Sequence, residues 1–335
     1  MEKKEIANKN DNILYTRIAE ILERSRSFVA TTVNTAMVKT YYEIGRIIVE
    51  DEQKGQIRAD YGKEVLKNLS KKLTEKFGKG FSTTNLKQMR DFYQTYQIGQ
   101  TVSDQFSLSW SHYLFLMRID NPKERQFYEI EAKNSNWSLR ELKRQFDSAL
   151  YERLALSKDK TSINNLSKKG IVVQSSSDIV KDPYVLEFLG LPEKAEYSET
   201  DFENKLIGKL ESFLLELGKG YTFVGRQVRL TFDEKHFFVD LVFYNRILQC
   251  FVLIDLKIGE ITHQDLGQMQ MYVHYYDRFV KLDNENKTIG IVLCKKKTDS
   301  LVEITLPEDN TQIFASKYQM VLPNKEELIR LIEDR

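Results

Sequence analysis

The sequence predicts a two-domain α+β protein with an all-α first half and an α/β second half. Its 335 residues exceed the roughly 100–200 residues of a typical domain. Apolar residues recur at helical spacing through the first half, whereas strand-like runs dominate after residue 220. Between the halves, residues 157–177 are rich in Ser, Asn and Lys and lose this periodicity. We expect a helical domain over 1–156, a connection over 157–177 and a sheet domain over 178–335.

The composition excludes several classes of protein. Hydrophobic residues make up 41% and charged residues 30% of the chain, which is a core-forming mixture and not that of a disordered protein. No uncharged apolar run reaches the length of about 18 residues that predicts a membrane span, and the N-terminal residues lack the apolar region of a signal peptide. Cys250 and Cys294 both lie in apolar runs, so we expect reduced core cysteines in a cytoplasmic protein with no membrane partner.

Helical spacing in the first half predicts helices over 13–33, 37–49, 63–77 and 83–96. Before the last of these, the glycines of the segment 78–80 predict a turn, and Ser82 is a suitable N-cap. The turn and the following helix are typical of a helix-turn-helix, in which Leu86 and other apolar residues point inward.

The stretch from Lys54 to Arg90 contains ten basic and three acidic residues, although the whole chain has a net charge of only +1. Side chains suited to phosphate or groove contacts occur on both helices of the pattern. We therefore expect DNA contacts from Lys67, Lys71, Thr83, Thr84, Lys87, Gln88 and Arg90. Two alternatives stay open from the sequence, namely a solvated helical scaffold and a helical domain that mediates homo-oligomerisation.

The second half begins with a predicted helix over 202–217, which Gly218 ends. Strand-like runs over 221–231, 236–245 and 249–257 are separated by short polar breaks and predict an antiparallel meander. The pattern continues with a helix over 263–280, strands over 288–296 and 312–321, and a terminal helix over 324–333. This order predicts a sheet flanked by helices.

Two carboxylates interrupt the apolar strands of this sheet. Asp240 lies in HFFVDLVFY (236–244), and Asp255 lies in FVLIDLKIG (251–259), which also contains Lys257. Because a strand alternates faces, Asp255 and Lys257 project from one face, and pairing of the two strands brings Asp240 near them. Mg²⁺ suits such carboxylates and leaves coordination positions for water and a phosphate oxygen. The alternative is an Asp–Lys salt bridge on a half-exposed strand.

Three residues outside these strands are candidates for the same site. Gln268 and Tyr272 are separated by four residues on the following predicted helix and therefore share a face. Glu203 lies on the helix before the sheet and can supply a further metal-binding carboxylate. The alternative for Glu203 is a capping box with Thr200.

Together these residues resemble the PD-(D/E)xK nuclease signature, including the Q-x-x-x-Y helix of its RecB-type members. Longer segments resemble the family of YhcG-type nucleases over most of the chain and in the same order. The matching segments of the first half are YYEIGRIIVE (41–50), YGKEVLKNLSKKL (61–73), GFSTTNLKQMRDFYQTY (80–96), LSWSHY (108–113), NWSLRELKRQ (136–145) and LYER (150–153). Those of the second half are FLLELGKGYTFVGRQ (213–227), VDLVFYN (239–245), IDLK (254–257) and GQMQMY (267–272).

The resemblance implies a restriction-endonuclease-like C-terminal domain with a Mg²⁺-dependent or Mn²⁺-dependent phosphodiesterase site. It also implies a DNA-binding N-terminal domain of the winged-helix or helix-turn-helix sort, and a role in genome defence alongside restriction or defence partner proteins. By position, Asp240 and Asp255 match the metal ligands, Lys257 the catalytic lysine, and Gln268 and Tyr272 the supporting residues. Glu203 matches the glutamate of the first helix, as a further metal ligand.

The chain departs from the general signature at two points. Val239 stands where a proline commonly precedes the first acid, and Asp255 is shorter by one methylene than the commoner glutamate. Two other functions therefore stay open beside a DNA endonuclease. One is a non-catalytic DNA-binding or assembly subunit on a nuclease fold, and the other is an RNA-directed nuclease.

Overall fold

The computed structural model describes residues 2–54, 59–96, 106–156, 160–192, 197–232 and 234–333. Contacts divide the chain into two compact units, Met1–Leu142 and Lys143–Arg335. Within the described ranges, no helix combines the length and the apolar character needed to cross a membrane.

The regular secondary structure of the first unit is all helical in its described residues, as the sequence predicts, and these residues contain no strand that could form a wing. Its helices are α1 (Glu2–Lys54), α2 (Ala59–Phe77), α3 (Thr83–Tyr96), α4 (Trp110–Leu116), α5 (Pro122–Asn134) and the start of α6 (Leu139–Asp147). The helical character predicted over 13–33 and 37–49 is confirmed, and a single helix, α1, contains both segments. Asn34 and Thr35 have low helix propensity, but no Gly or Pro there forces the helix to end.

Helices α1, α2 and α3 pack around a core formed by Ile48, Leu66, Leu86 and Met89. Helix α3 begins at its predicted residue because Ser82 Oγ accepts a hydrogen bond from the backbone N–H of Asn85 at 3.2 Å. The inward orientation predicted for the apolar residues of α3 is confirmed, since its buried residues are all apolar. Aromatic rings of α1, α3 and α4 extend this core.

Gly45 allows α1 and α3 to approach closely. A Cβ atom built on Gly45 would lie 2.0 Å from the backbone oxygen of Met89, well inside any acceptable contact. The neighbour is backbone, so it cannot rotate away as a side chain could. The packing of these two helices therefore depends on glycine at this position.

The second unit is a mixed sheet with helices on both faces. Its helices are α7 (Leu150–Leu156), α8 (Lys160–Lys169), α9 (Glu199–Ile207), α10 (Leu210–Leu217), α11 (His263–Phe279), α12 (Asp299–Thr305) and α13 (Lys325–Glu333). Its strands are β1 (Tyr184–Val185), β2 (Tyr221–Phe232), β3 (Lys235–Asn245), β4 (Cys250–Glu260), β5 (Ile289–Lys296) and β6 (Ile313–Gln319). The strand order is β1-β6-β5-β4-β3-β2. The predicted antiparallel meander is confirmed for β2, β3 and β4, and the remaining neighbours are parallel.

Each face of the sheet has its own hydrophobic core. On one face, Ile254 and Leu256 of β4 pack with Phe202 of α9 and Phe213 of α10. On the other face, Leu253 of β4 packs with several apolar residues of α11. This alternation follows from the period of two along a strand, and it decides which residues of β4 face α11.

Two predictions for the second unit require correction. The single helix predicted over 202–217 is divided into α9 and α10, which meet at Gly208 and Lys209. The stretch 157–177, interpreted as a linker or poorly packed connection, contains α8 in its described part, and Leu166 of that helix is buried. Local composition does not reveal this helix, because its order depends on packing of a few apolar residues.

Helix α7 lies in the second unit, although the sequence assigns residues up to 156 to the first domain. Arg153 Nη1 lies 2.8 Å from Glu216 Oε1, and both side chains are buried. Arg144 Nη2 lies 3.4 Å from the other oxygen of Glu216. The positive charges offset the burial of this carboxylate and lower its pKa to about 2.

We predict that Gly45→Ala destabilises the first unit by about 3 kcal/mol, because the added methyl group overlaps backbone that cannot relax without separating α1 from α3. Thermal unfolding followed by circular dichroism measures the effect. The control is Gly267→Ala in α11, where a Cβ meets nothing within 4 Å and alanine stabilises a helix by about 1 kcal/mol. Equal or higher stability of Gly45→Ala would contradict the prediction.

Candidate active site

The pairing of β3 with β4 ends immediately before Asp240. Leu241 opposite Ile254 is the last register pair, and the next step along β3 is Asp240. There the side chain of Asp240 bonds to β4 in place of the backbone, because its Oδ2 accepts a hydrogen bond from the backbone N–H of Leu256 at 2.8 Å. The backbone pairing of the two strands stops at this point.

Asp255 shares the face of β4 that carries Leu253, interacts with Asp240 and is only 3% exposed. Its Oδ2 lies 3.0 Å from Lys257 Nζ, so the two same-face residues of β4 form an ion pair. Burial, together with the negative charge of Asp240, raises the pKa of Asp255, and Lys257 only partly opposes this effect. The carboxylate therefore lies in a site where further positive charge is favourable.

Two further carboxylates surround Lys257. Its Nζ lies 3.7 Å from Asp265 Oδ1 and 3.9 Å from Glu199 Oε2. Burial alone lowers the pKa of the ammonium group, but the carboxylates, led by Asp255, outweigh it, and the net pKa is raised. Lys257 therefore carries its positive charge at the site.

Sequence reasoning missed both Asp265 and Glu199. The signal for Asp265 was present, because Thr262 and Asp265 have the spacing of a capping box at the start of α11. In the structure they form it, and the other carboxylate oxygen of Asp265 remains oriented toward Lys257. No local pattern marks Glu199, which is the first residue of α9.

Glu203 is buried on α9 and takes no part in the capping box considered for it, because Ser198 and Asp201 cap this helix. Instead, Gln227 Nε2 donates a hydrogen bond to Glu203 Oε2 at 2.7 Å and another to Asp240 Oδ1 at 2.9 Å. One amide group thus connects the two carboxylates.

Gln227 was also missed from the sequence, although it is the last residue of the segment 213–227, which resembles the family. Its φ of 48° is in the left-handed region, which a side-chain-bearing residue rarely adopts. This conformation is not encoded by Gln itself, so local propensity could not predict the bridge. Backbone strain at such a position is typical of functional sites.

Glu203 retains an oxygen that is available to a cation. Its Oε1 is buried and has no hydrogen-bond partner among the described residues. Burial raises the pKa of Glu203, as does the charge of Asp240, whereas the hydrogen bond from Gln227 lowers it. The arrangement again favours a positive charge near the carboxylates.

Gln268 and Tyr272 lie together on α11, as the sequence predicts. Gln268 Nε2 donates to the Tyr272 hydroxyl group, which in turn donates to the backbone oxygen of Phe238 at 2.8 Å. Phe238 precedes Asp240 by two residues on β3, so this chain of hydrogen bonds fixes the helix against the strand beside the carboxylate.

The donors fit a hard divalent cation held mainly by Asp240 and Asp255. In the described part of the chain, no three His, Cys, Asp or Glu side chains form a group that could enclose a metal. Mg²⁺ does not require one, because it keeps several waters and commonly binds through one or two protein carboxylates together with substrate phosphates. The unpartnered oxygen of Glu203 is a further oxygen donor close to the pair.

The nucleic-acid candidates of the first unit differ in their exposure. Lys67, Lys71, Thr84 and Lys87 are exposed, whereas Thr83 and Gln88 are half-buried. Arg90 is already engaged, since its guanidinium lies 3.3 Å from Glu52 and 3.1 Å from Asp91. The lysines are therefore better placed for phosphate contacts than Arg90.

Comparison with known proteins gives two domain matches. The family described as "YhcG PDDEXK nuclease domain" matches residues 177–332, and the family described as "DUF1016 N-terminal domain" matches residues 17–153.

A protein of Escherichia coli (strain K12) named "Putative nuclease YhcG" is 39% identical over 345 residues, covering 94% of this chain and 92% of that protein. Among solved structures, a repair endonuclease from Pyrococcus abyssi and a complex of EndoMS with dsDNA are each 15% identical, with a TM-score of 0.26. This chain covers half the length of each, and scores this low support no conclusion about it. The extent and identity of the match to the Escherichia coli protein, together with both domain matches, show that this chain belongs to the YhcG family of proteins with a PDDEXK nuclease domain.

Proposed function

We propose that this chain is a metal-dependent endonuclease that hydrolyses phosphodiester bonds in DNA. The observation that carries the proposal is the convergence of Asp240, Asp255 and Lys257 where the β3–β4 ladder ends. Two carboxylates and an ammonium group form a site for a cation and a phosphate, and the family of the chain is named for this nuclease class.

In this proposal Asp240 and Asp255 hold Mg²⁺ or Mn²⁺, and Glu203 contributes from the adjoining helix. The bound ion would lower the pKa of a coordinated water and polarise the scissile phosphodiester. The chain's own contribution is to keep two carboxylates at one point with the help of Gln227 and the N–H of Leu256.

Lys257 supplies positive charge to the phosphate in this scheme. Its ammonium group is partly buried and is held beside Asp255, so it would stabilise the negative charge that develops on a phosphate bound at the carboxylates. Gln268 and Tyr272 act indirectly, because they hold the segment of β3 that carries Asp240. We therefore assign Lys257 to the reaction itself and the other two to its support.

We further propose that the first unit binds DNA through the exposed lysines of α2 and α3. Lys67 and Lys71 are separated by four residues on α2 and share a helix face, while Lys87 lies on α3. They lie in the most basic stretch of the chain, with ten basic and three acidic residues over 54–90. Lysines in this arrangement suit the DNA backbone and carry no base specificity.

We predict that the purified chain cleaves plasmid DNA with Mg²⁺ or Mn²⁺, but not with EDTA, and that Lys257→Ala lowers cleavage at least a hundredfold. The reason is the loss of a positive charge beside the reacting phosphate. The assay is conversion of supercoiled plasmid to nicked and linear forms over time. Retained metal-dependent cleavage by the variant would refute the assignment of the site.

The matched control is Lys287→Ala. Lys287 is exposed and precedes β5 at the end of the sheet where β4 begins, far along the strand from Asp255. The Lys287→Ala variant should cleave DNA at the same rate as the native chain. DNA binding without cleavage in any metal would favour a non-catalytic subunit, and cleavage restricted to an RNA substrate would favour the RNA-directed alternative.

We predict that Gln227→Ala lowers cleavage ten- to a hundredfold and raises the Mn²⁺ concentration needed for half-maximal rate. Without the amide group, Glu203 and Asp240 no longer share a hydrogen-bond donor, and the two carboxylates are no longer aligned. Cleavage measured across a Mn²⁺ titration separates this positioning effect from simple loss of structure.

The control for the Gln227 variant is Gln249→Ala. Gln249 has a similar left-handed φ of 50° but lies at the turn between β3 and β4, at the opposite end of the hairpin. Any effect that arises only from replacing glutamine at a strained backbone position would appear in both variants. An unchanged metal requirement in Gln227→Ala would refute the positioning role.

We predict that replacing Lys67, Lys71 and Lys87 together with Ala weakens DNA binding. It should also reduce the slope of log affinity against log salt by about 0.9 for each phosphate that the variant no longer neutralises. Fluorescence anisotropy at several salt concentrations measures both quantities. Arg118→Ala, an exposed change between α4 and α5, is the control and should leave the slope unchanged. An identical slope in the triple variant would mean that these lysines do not contact DNA.

A further inference from the structure

The N-terminal part of α1 exposes a continuous apolar face. Eight large apolar side chains between residues 15 and 37 are 38–73% exposed, and together we call them the α1 apolar face. They are Tyr15, Ile18, Ile21, Leu22, Phe28, Val29, Val33 and Met37. Among the side chains of α1 whose burial the structure describes, the first buried one is Val38, where the helix enters the core of the first unit.

The apolar face follows the helix rather than being scattered around it. Tyr15, Leu22 and Val29 repeat every seven residues, and Ile18 lies between the first two at the spacing of a heptad seam. Ile21 and Phe28 widen the same face on one side. Glu20 and Asn34 lie on the opposite side of the helix, whereas Ser25, Arg26 and Thr32 interrupt the apolar face.

This segment lacks the sequence of a helix that is stable by itself in water. Four of the five residues over 31–35 are Thr or Val, whose branched side chains have low helix propensity. Its only ion pair among the described side chains is Arg24 with Glu20 at 3.9 Å, and both groups are exposed. Most helical stability in proteins comes from packing of an apolar face, so this segment requires a partner surface.

We propose that the α1 apolar face is a self-association surface, on which two copies of this chain pair through the same residues. Such pairing is isologous, and a face with eight exposed apolar side chains complements a second copy of itself. Residues 15–37 contain three Arg and two Glu, so two copies bring little net charge together. The polar side is not rich in Lys or Arg, as it would be for a membrane surface or a nucleic acid.

A stable dimer needs a large contact surface. A standard interface buries roughly 800 Å² per partner. Six of the eight side chains are more than half exposed. Together the eight can supply the greater part of that area. The proposal is independent of the nuclease site, because none of these residues lies in the second unit.

The test is the mass of the full chain by light scattering and sedimentation over a wide range of concentration. We expect a dimer for the native chain, and a twofold lower mass of 39.4 kDa for the double variant Leu22→Glu, Val29→Glu. Both substitutions are at exposed positions of a helix, and Glu is a good helix former, so folding of the variant should be unaffected. Circular dichroism with an unchanged helix content checks this point.

The matched control is the double variant Thr31→Glu, Asn34→Glu, which adds the same charge to the opposite side of α1 and should remain dimeric. A third variant, Ser25→Cys, places a thiol near the middle of the apolar face, and we expect an oxidised, covalent dimer that Asn34→Cys does not form. A native chain that is monomeric at all concentrations would overturn the proposal. So would equal masses of the two double Glu variants.

Discussion

The candidate site depends on the cost of holding two carboxylates within an apolar sheet. An unpaired buried charge is expensive, and Asp240 and Asp255 also raise each other's energy by repulsion. The structure offsets this cost with three kinds of donor. Leu256 offers a backbone N–H, Gln227 an amide group and Lys257 a full positive charge. Each donor comes from a different local conformation, namely an open ladder, a left-handed residue and a regular strand.

The helix α11 carries the second layer of this arrangement. Its first turn supplies Asp265, which balances Lys257 while it caps the helix, and its third turn supplies Tyr272, which binds the backbone before Asp240. The apolar residues between them lie in the core beneath the sheet. Rotation of α11 would therefore disturb both the charge balance and the position of β3. The family's paired Gln and Tyr have a physical explanation in this chain as a hydrogen-bonded link between helix and strand.

The sequence predicted those features that depend on local pattern or period. Helix α3 begins at its predicted residue because Ser82 caps it, and the meander follows from three strand-like runs with short breaks. The pairing of Gln268 with Tyr272 follows from helical spacing alone. The proximity of Asp240 to Asp255 required the additional assumption that their strands pair, which the ladder up to Leu241 satisfies.

The features that escaped prediction depend on contacts distant in sequence. Helix α7 joins the second unit through the ion pair of Arg153 with Glu216, which are 63 residues apart. A local sequence pattern does not reveal a pair so distant in sequence. Gln227 reaches Glu203 and Asp240 only because its backbone adopts a left-handed conformation within β2.

The continuity of α1 has a geometric consequence for any surface formed by its N-terminal part. A helix rises about 1.5 Å per residue, so Tyr15 lies roughly 35 Å along the axis from Val38, where packing into the first unit begins. Pairing through the α1 apolar face would occur along this projecting segment and not on the α1–α2–α3 core. The exposed lysines of α2 and α3 would then stay accessible in both copies. Self-association and DNA contact would thus use separate parts of one helical unit, and substitutions in one should leave the other unchanged.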